Sequence, residues 1–352
     1  MTRQHTLVVR PDNAGDVLLA GPAIRAVAAG SGRVTLWVGP HGRAVAELLP
    51  GVDEVICREL PWIDLAAAPI DHAWLEATIA AADIGADAAV IMSSFHQSPL
   101  PTALVLRAAG IGFVAATSVD YPGSLLDVRH RIDDDVHKVE RSLDLTRAAG
   151  FELPIGDDGR LRIRTSAVAN PVPAGVPYVV VNPGASVPAR AWETERNAAA
   201  VTALASLGWR VVVTGGPNET GLTAHVAGTA GIDLGGRTNW PVLARVVHDA
   251  AAIVTGNTGP AHLAAAVGTP VAEVFAPTVP AVRWRPWMVD HVLLGDQDIA
   301  CGGCRARVCP FDGHPCIGSV TVSEVVDAVE QLAGHPASAT GDVVAVGGGR
   351  SS

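Results

Sequence analysis

Ile253-Val-Thr-Gly-Asn257-Thr258-Gly259-Pro260-Ala-His262-Leu-Ala-Ala-Ala-Val-Gly268 is the stretch that decides the fold class. It opens on an apolar, β-branched run of the kind found in strands buried on both faces. Asn257 and Thr258 are cap residues, a glycine and a proline at the first helical position follow, and an alanine-rich helix runs to Gly268. Strand, tight loop and helix in that order are the unit of a parallel α/β sheet. The free N–H groups and positive dipole end of such a helix start form an anion site. His262 lies in the first turn, facing that anion or serving as a satisfied structural histidine.

Similar buried runs occur outward from this stretch, at Leu7 to Val9, Val34 to Val38, Ala88 to Met92, Tyr178 to Val181, Val211 to Thr214 and Val271 to Phe275. Ala/Leu-rich helical stretches separate them, so the predicted class is α/β. Both halves open on a buried strand that enters a small-residue loop, Leu7-Val-Val-Arg-Pro-Asp-Asn-Ala-Gly-Asp16 and Tyr178-Val-Val-Val-Asn-Pro-Gly-Ala-Ser186. Between Glu152 and Pro177 the pattern dissolves into prolines, glycines and aspartates, which mark a boundary. The expected organisation is an N-terminal Rossmann-like domain over 1–165, a C-terminal one over 166–334, and a tail over 335–352 with a disordered composition. The two doubly wound domains are expected to face a central cleft.

Composition narrows the function. Thirty-five acidic against 25 basic residues leave a net charge of −10, and Lys138 is the single lysine, which argues against a nucleic-acid partner. No apolar run reaches the ~18 residues of a membrane span, and no secretory h-region opens the chain, so a cytoplasmic protein is expected. The phosphate-loop signature G-x-x-x-x-G-K-[ST], the G-x-S-x-G elbow and the H-E-x-x-H helix are all missing from the sequence.

Ligands in such sheets collect beyond the carboxyl ends of the strands. After the first strand, Asn13-Ala-Gly-Asp16 leads into a helix whose apolar positions Val17, Gly21, Ile24 and Ala28 share one face. Asp16 is either an N-cap or first-turn acid, or a general base held on a rigid turn. Asn182-Pro-Gly-Ala-Ser186-Val-Pro-Ala-Arg190 offers a hydroxyl and a planar fork for phosphate oxygens, or a plain turn with a solvated arginine. Glu219, after Thr214-Gly-Gly-Pro-Asn, is placed to accept from ribose hydroxyls, although the same residues make good turn chemistry. Asn13, His96 and Gln97 are acceptor-side candidates, the last two equally readable as turn fillers, and Arg283 and Arg285 add charge in a Trp/Pro-rich loop or lie in solvent.

Taken together, these loops resemble glycosyltransferase family 9, the ADP-heptose lipopolysaccharide heptosyltransferases. The resemblance runs from Leu7 to Ala333 and rests on Gly15-Asp16-Val-Leu-Leu with Pro22-Ala-Ile-Arg, His137-Lys-Val-Glu-Arg, Pro183-Gly-Ala-Ser186 with Arg190-Ala-Trp192, Gly215-Gly-Pro-Asn-Glu219, and Gly256-Asn257-Thr-Gly-Pro-Ala-His262. It implies a GT-B fold and a metal-independent, inverting transfer from a nucleotide sugar with no cofactor. By the matched motifs Asp16 would be the base. Ser186 and Arg190 would hold phosphate oxygens, Glu219 the ribose, and Asn257, Thr258, Gly259 and His262 the pyrophosphate and sugar end. Asn257 stands where the family usually has Asp, and Arg190 where lysine is common. Left open are a natural-product or cell-wall acceptor with another nucleotide sugar, a sugar-nucleotide epimerase or hydrolase, and a non-catalytic binding protein. A peripheral membrane contact is implied only for a lipid-linked acceptor.

Cys301, Cys304, Cys309 and Cys316 give a C-x2-C-x4-C-x6-C spacing compact enough for tetrahedral zinc, with His314 as a substitute ligand. An iron–sulfur cluster, disulfides and unligated thiols are the other readings. Similar cysteine sets occur in members of the resembled family.

Overall fold

The computed structural model describes residues 3–63, 69–133, 135–164 and 167–336. The tail expected from composition therefore lies, beyond Pro336, outside the described residues. The first sheet holds β1 (Arg3–Arg10), β2 (Ser31–Val38), β3 (Glu54–Cys57), β4 (Ala88–Ile91), β5 (Phe113–Thr117) and β6 (Val128–His130), in the order β3-β2-β1-β4-β5-β6. The second holds β7 (Tyr178–Asn182), β8 (Arg210–Val213), β9 (Gly231–Asp233), β10 (Ala252–Gly256), β11 (Val271–Val274) and β12 (His291–Leu294), in the order β12-β11-β10-β7-β8-β9. Every pairing is parallel. Each sheet has its first strand beside its fourth, so the direction of winding reverses between β1 and β4 and again between β7 and β10. Those reversals open the crevices in which doubly wound folds bind ligands.

The expected strands all form, because each is a run of apolar residues covered on both faces; β7 is buried along its whole length. The strands that sequence did not signal are shorter or weaker. β3, β6, β9 and β12 are sheet edges of three or four residues with largely half-buried positions, and β5 is alanine-rich.

Two helices stand where the spacing predicts one. The chain after β1 forms Ala14–Leu19, breaks at Ala20, and resumes as Gly21–Ala29. The apolar face continues through the break, so periodicity alone does not reveal it. Glycine at the first position and Pro22 at the second, which has no N–H to donate, make this a start rather than a continuation.

Apolar packing joins the two sheets across the cleft. Ala14, Val17 and Leu18 share one buried cluster with Ala244 and Leu263. Leu19, Val139 and Leu161 share another with Ala265, against which Trp284 and Trp287 pack. Segment Ala281–Val289 reaches back to the first half: Trp287 Nε1 donates to the Gly159 carbonyl at 2.9 Å, and His137 stacks on Trp287 with ring centres 4.4 Å apart. Among the described residues, no helix is long and apolar enough to cross a membrane.

Candidate active site

Two helix N-termini meet at the floor of the cleft, that of Ala14–Leu19 from the first half and that of Gly259–Val267 from the second. Glycine makes the meeting possible. A Cβ on Gly15 would lie 2.9 Å from His262 Cδ2 and 3.3 Å from Gly259 Cα, and one on Gly259 would lie 3.1 Å from Trp240 Cη2. The helices therefore touch backbone to backbone, and their positive ends converge on one small volume.

Asp16 is the third residue of its helix, so it is a first-turn acid rather than the N-cap; Asn13 occupies the cap, is exposed, and makes no capping bond with its side chain. Arg10, at the end of β1 and only 1% exposed, governs the carboxylate. Its Nη2 donates to Asp16 Oδ1 at 2.5 Å and its Nε to the Asp16 carbonyl at 3.2 Å. Its Nη1 is anchored on the Met92 carbonyl at 2.8 Å and lies 3.0 Å from Asp12 Oδ2. One oxygen of Asp16 is thus fixed, and the side chain keeps 20% exposure toward the cleft.

Gln97, expected on the acceptor side, is tied into this scaffold. Its Nε2 donates to Asp12 Oδ1 at 2.7 Å and its Oε1 accepts from Ser94 N at 2.7 Å. His96 is exposed beside it. Lys138 is buried, donates to the Ser93 carbonyl at 2.7 Å, and lies 5.0 Å from the centre of the Phe95 ring. Burial, reinforced by the Arg10 charge, holds its ammonium well below the usual lysine range.

On the facing side, Thr258 is the N-cap of Gly259–Val267 but makes no capping bond; its hydroxyl turns back to Thr255 Oγ1 at 3.2 Å. Pro260 is the second helical residue, one place later than predicted. Asn257 is 4% exposed and His262 2%, yet among the described residues Asn257 Nδ2 and His262 Nδ1 have no partner. Buried polar atoms without partners are costly, so both retain unused hydrogen-bonding capacity beside the helix start. Burial and then the Arg190 charge push His262 down to about 4, leaving a neutral imidazole at pH 7.

Arg190 is half-buried, its Nε donates to Thr278 Oγ1 at 3.2 Å, and it feels the Asp16 charge across the cleft. Glu219 lies over the Pro183–Ser186 loop: a Cβ on Gly184 would fall 2.0 Å from Glu219 Oε1, and Glu219 Oε2 accepts from Gly216 N at 2.7 Å. Ser186 is exposed at the loop tip. The structure therefore gathers Asp16, Asn257, Gly259, His262 and Arg190 around the helix ends, sets Glu219 along the next loop, and leaves Asn13, His96 and Ser186 at the rim.

The glycosyltransferase family 9 (heptosyltransferase) profile matches residues 86–314, more than half of the chain. The chain belongs to glycosyltransferase family 9. Escherichia coli lipopolysaccharide heptosyltransferase 3 is 28% identical over 176 residues, 47% of this chain and 49% of that protein. The chain thus spans about half the length of this curated relative. Among solved structures, E. coli heptosyltransferase WaaC with ADP-2-deoxy-2-fluoro heptose superposes with a TM-score of 0.69 at 20% identity, covering 93% of this chain and 99% of that one. The iron-containing dodecameric glycosyltransferase TibC from enterotoxigenic E. coli gives 0.53 at 15% identity, covering 94% and 76%. The two-domain GT-B fold is therefore the fold of this family member.

The cysteines of the second half are gathered but not closed. All four are unpaired; Cys316 is buried and Cys304 exposed. Burial pushes the Cys316 thiol up, and the other three add to the effect, so they lie within electrostatic reach. Among the described residues, no three Cys, His, Asp or Glu side chains are arranged around a metal-sized point.

Arg10 and Asp12, at the end of the first strand and in the loop after it, have no task that the sequence alone assigns. The available signal was a charged residue closing an otherwise apolar buried strand, a position that demands a buried partner.

Proposed function

We propose that the protein is an inverting glycosyltransferase that moves a heptose or a related sugar from an ADP-sugar to an acceptor hydroxyl, with Asp16 as general base. The observation that carries this reading is the convergence of a carboxylate with one oxygen free and an uncapped helix start on one point, with Arg190 beside them. Asp16 takes the acceptor proton, the acceptor oxygen bonds to the anomeric carbon, and the bond from that carbon to the phosphate oxygen breaks. One displacement from the face opposite the leaving group inverts the anomeric centre. Negative charge develops on the departing diphosphate, where the N–H groups of the helix Gly259–Val267, the Asn257 amide, the His262 imidazole and the Arg190 fork supply donors. Glu219 takes the ribose and Ser186 a phosphate oxygen at the loop tip. Lipopolysaccharide is the acceptor class suggested by the name of the curated relative, and the cytoplasm is the proposed place of action.

Arg10 suits this role for Asp16. It removes one carboxylate oxygen from competition and aims the other into the cleft, and its own charge is balanced by Asp12. The test is calorimetry with ADP-, UDP-, GDP- and dTDP-sugars, followed by turnover of Asp16→Asn. An ADP-sugar is expected to bind best, and the variant to bind it normally without transferring. Preference for another nucleotide overturns the donor; retained transfer removes Asp16 from the chemistry.

Cys301, Cys304, Cys309 and Cys316 are proposed to close on a structural metal, which would tie a segment of few regular elements without touching the reaction. Their spacing and mutual reach support this, as does a structural neighbour described as iron-containing. Elemental analysis for zinc and iron of protein purified without chelators is expected to give one equivalent, and less than about half would exclude it.

A further inference from the structure

Arg190 is held in place from the cysteine segment. Its loop is a single turn, Pro188–Arg190, in which Ala189 is 1% exposed while Ser186 and Pro188 face solvent. Both backbone groups of Ala189 are engaged by the stretch between Cys309 and its neighbours: Ala189 N donates to the Arg307 carbonyl at 3.0 Å, and His314 Nε2 donates to the Ala189 carbonyl at 3.0 Å. The other support of Arg190 is Thr278, which receives its Nε, and that support is bound to the same segment. Arg305 N donates to the Thr278 carbonyl at 2.9 Å, and Gly303 N to the Pro277 carbonyl at 2.7 Å.

Two of the residues making these contacts adopt left-handed backbone, Arg305 at φ 54° and His314 at φ 48°. Such a conformation is unfavourable for a residue that carries a side chain. A glycine at 314 would relieve it but would remove the ring that reaches Ala189. A histidine kept there at a conformational cost points to its hydrogen bond as the reason.

We propose that His314 is a positioning residue for donor binding: through the Ala189 carbonyl, it and the cysteine segment fix the Arg190 guanidinium over the diphosphate. This rests on the reading of Arg190 as a phosphate-binding residue. The contact spans 125 residues of sequence and concerns a loop whose tip is exposed, so with the Arg307 carbonyl and Thr278 it ties the placement of Arg190 to the cysteine segment.

The test compares His314→Gly, His314→Gln, Arg190→Ala and the double variant His314→Gly with Arg190→Ala. The readouts are thermal midpoint, steady-state constants, and calorimetric affinity for whichever of ADP, UDP, GDP and dTDP the wild type binds best. Glycine is favoured at positive φ, so His314→Gly is expected to keep or raise the thermal midpoint. Its nucleotide affinity and donor KM should nevertheless worsen about tenfold, with kcat within about threefold, as for a misplaced binding group. His314→Gln places an amide N–H near the same carbonyl and should restore most of the affinity. In the Arg190→Ala background the His314→Gly change should have no further effect.

Unchanged affinity in His314→Gly while Arg190→Ala weakens binding overturns the proposal and spares the role of Arg190. Unchanged affinity in Arg190→Ala overturns the role of Arg190, and the proposal with it. Equal losses for His314→Gly in both backgrounds would show that the histidine acts elsewhere.

Discussion

Gly15→Ala separates the geometry of the cleft floor from the stability of the fold. The added Cβ would lie 2.9 Å from His262 Cδ2 and 3.3 Å from Gly259 Cα. Carbon atoms in contact settle at about 3.5–4.0 Å, so the two helix starts must part by roughly 0.7 Å. His262 is buried and cannot swing away cheaply. Overpacking of this kind costs about 1–3 kcal/mol, while alanine in place of a helical glycine returns about 0.5–1 kcal/mol. The net change in stability should therefore stay below about 2.5 kcal/mol. Catalysis should suffer more, because Asp16 and the donor cradle sit on opposite sides of that contact. A displacement approaching 1 Å costs up to about 100-fold in rate. We expect kcat/KM to fall 10- to 100-fold, about 1.4–2.7 kcal/mol of barrier, with nucleotide affinity within about threefold of wild type. Gly21→Ala is the control: its Cβ would meet Leu49 Cδ2 at 3.6 Å, an ordinary contact. Continuous assay of nucleoside diphosphate release, with urea unfolding of each variant, decides the matter. Wild-type kcat/KM in Gly15→Ala, or an equal loss in Gly21→Ala, would refute the reasoning.

Three further expectations concern stability and pH. Glu273, in β11, is fully buried with neither carboxylate oxygen partnered, and burial pushes its carboxyl well above the usual range. The folded state keeps a proton that the unfolded chain loses, so this group's contribution falls by about 1.4 kcal/mol per pH unit as pH rises above the ordinary glutamate value. Relative to Glu273→Gln, wild type should lose stability at that slope in urea titrations from pH 5 upward; parallel curves would contradict it. His137 is shifted the other way, to about 4, by burial against the opposing pull of the Arg285 carbonyl. Here the unfolded chain binds the proton first, so stability is present above the ordinary histidine value and is lost at a similar slope as pH falls from about 6.5 to 4. His137→Gln should flatten that slope, measured against wild type at pH 6.5, 5.5 and 4.5. Finally, Arg25 holds Asp157 in a two-pronged pair of 2.6 and 2.8 Å, both side chains under 10% exposed, which brings the Asp157 carboxyl down to about 2. Asp157→Asn should destabilise by about 3 kcal/mol near neutral pH. The difference from wild type should shrink as pH falls from about 4 toward 2, where Asp157 itself protonates; a constant difference would assign the loss to packing.

Sequence reveals those parts of this molecule that are local. The strands β1, β2, β4, β7, β8, β10 and β11 are legible because burial on both faces leaves an uninterrupted apolar run, and Asp16, Gly259 and His262 are legible because they follow such runs. The edge strand Gly231–Asp233 is half-buried throughout and carries no such mark. Nothing in the sequence announces that Gln97 bonds Asp12 from 85 residues away. Arg10 meets Met92 across 82 residues, and His314 meets Ala189 across 125. Periodicity has no access to pairings of that separation, and a charge on an apolar strand says only that a partner exists. The break at Ala20 escapes for a different reason: the apolar face is continuous, and only the local donor pattern changes.

The charge distribution ties these pieces together. A chain with net charge −10 must concentrate positive potential locally if it holds the proposed diphosphate. It does so with two helix N-termini at one point and a small set of sheltered cations. Arg10 is fully buried under Asp16, and Arg190 faces Asp16 from the second half. An ionised aspartate near a diphosphate would otherwise repel it, and at a separation of a few ångströms in a partly dry cleft that repulsion reaches several kcal/mol. Arg10, binding one Asp16 oxygen at 2.5 Å, offsets this repulsion from behind and leaves the other oxygen available. Asp12, 3.0 Å from the same guanidinium, keeps that arginine from neutralising the proposed base entirely. The succession Asp12, Arg10, Asp16, helix end and proposed diphosphate thus alternates in sign. Asp12→Asn should accordingly leave Asp16 more tightly paired and a weaker base: kcat is expected to fall about tenfold while nucleotide affinity rises slightly. A variant with unchanged kcat would break the alternating chain at its first link.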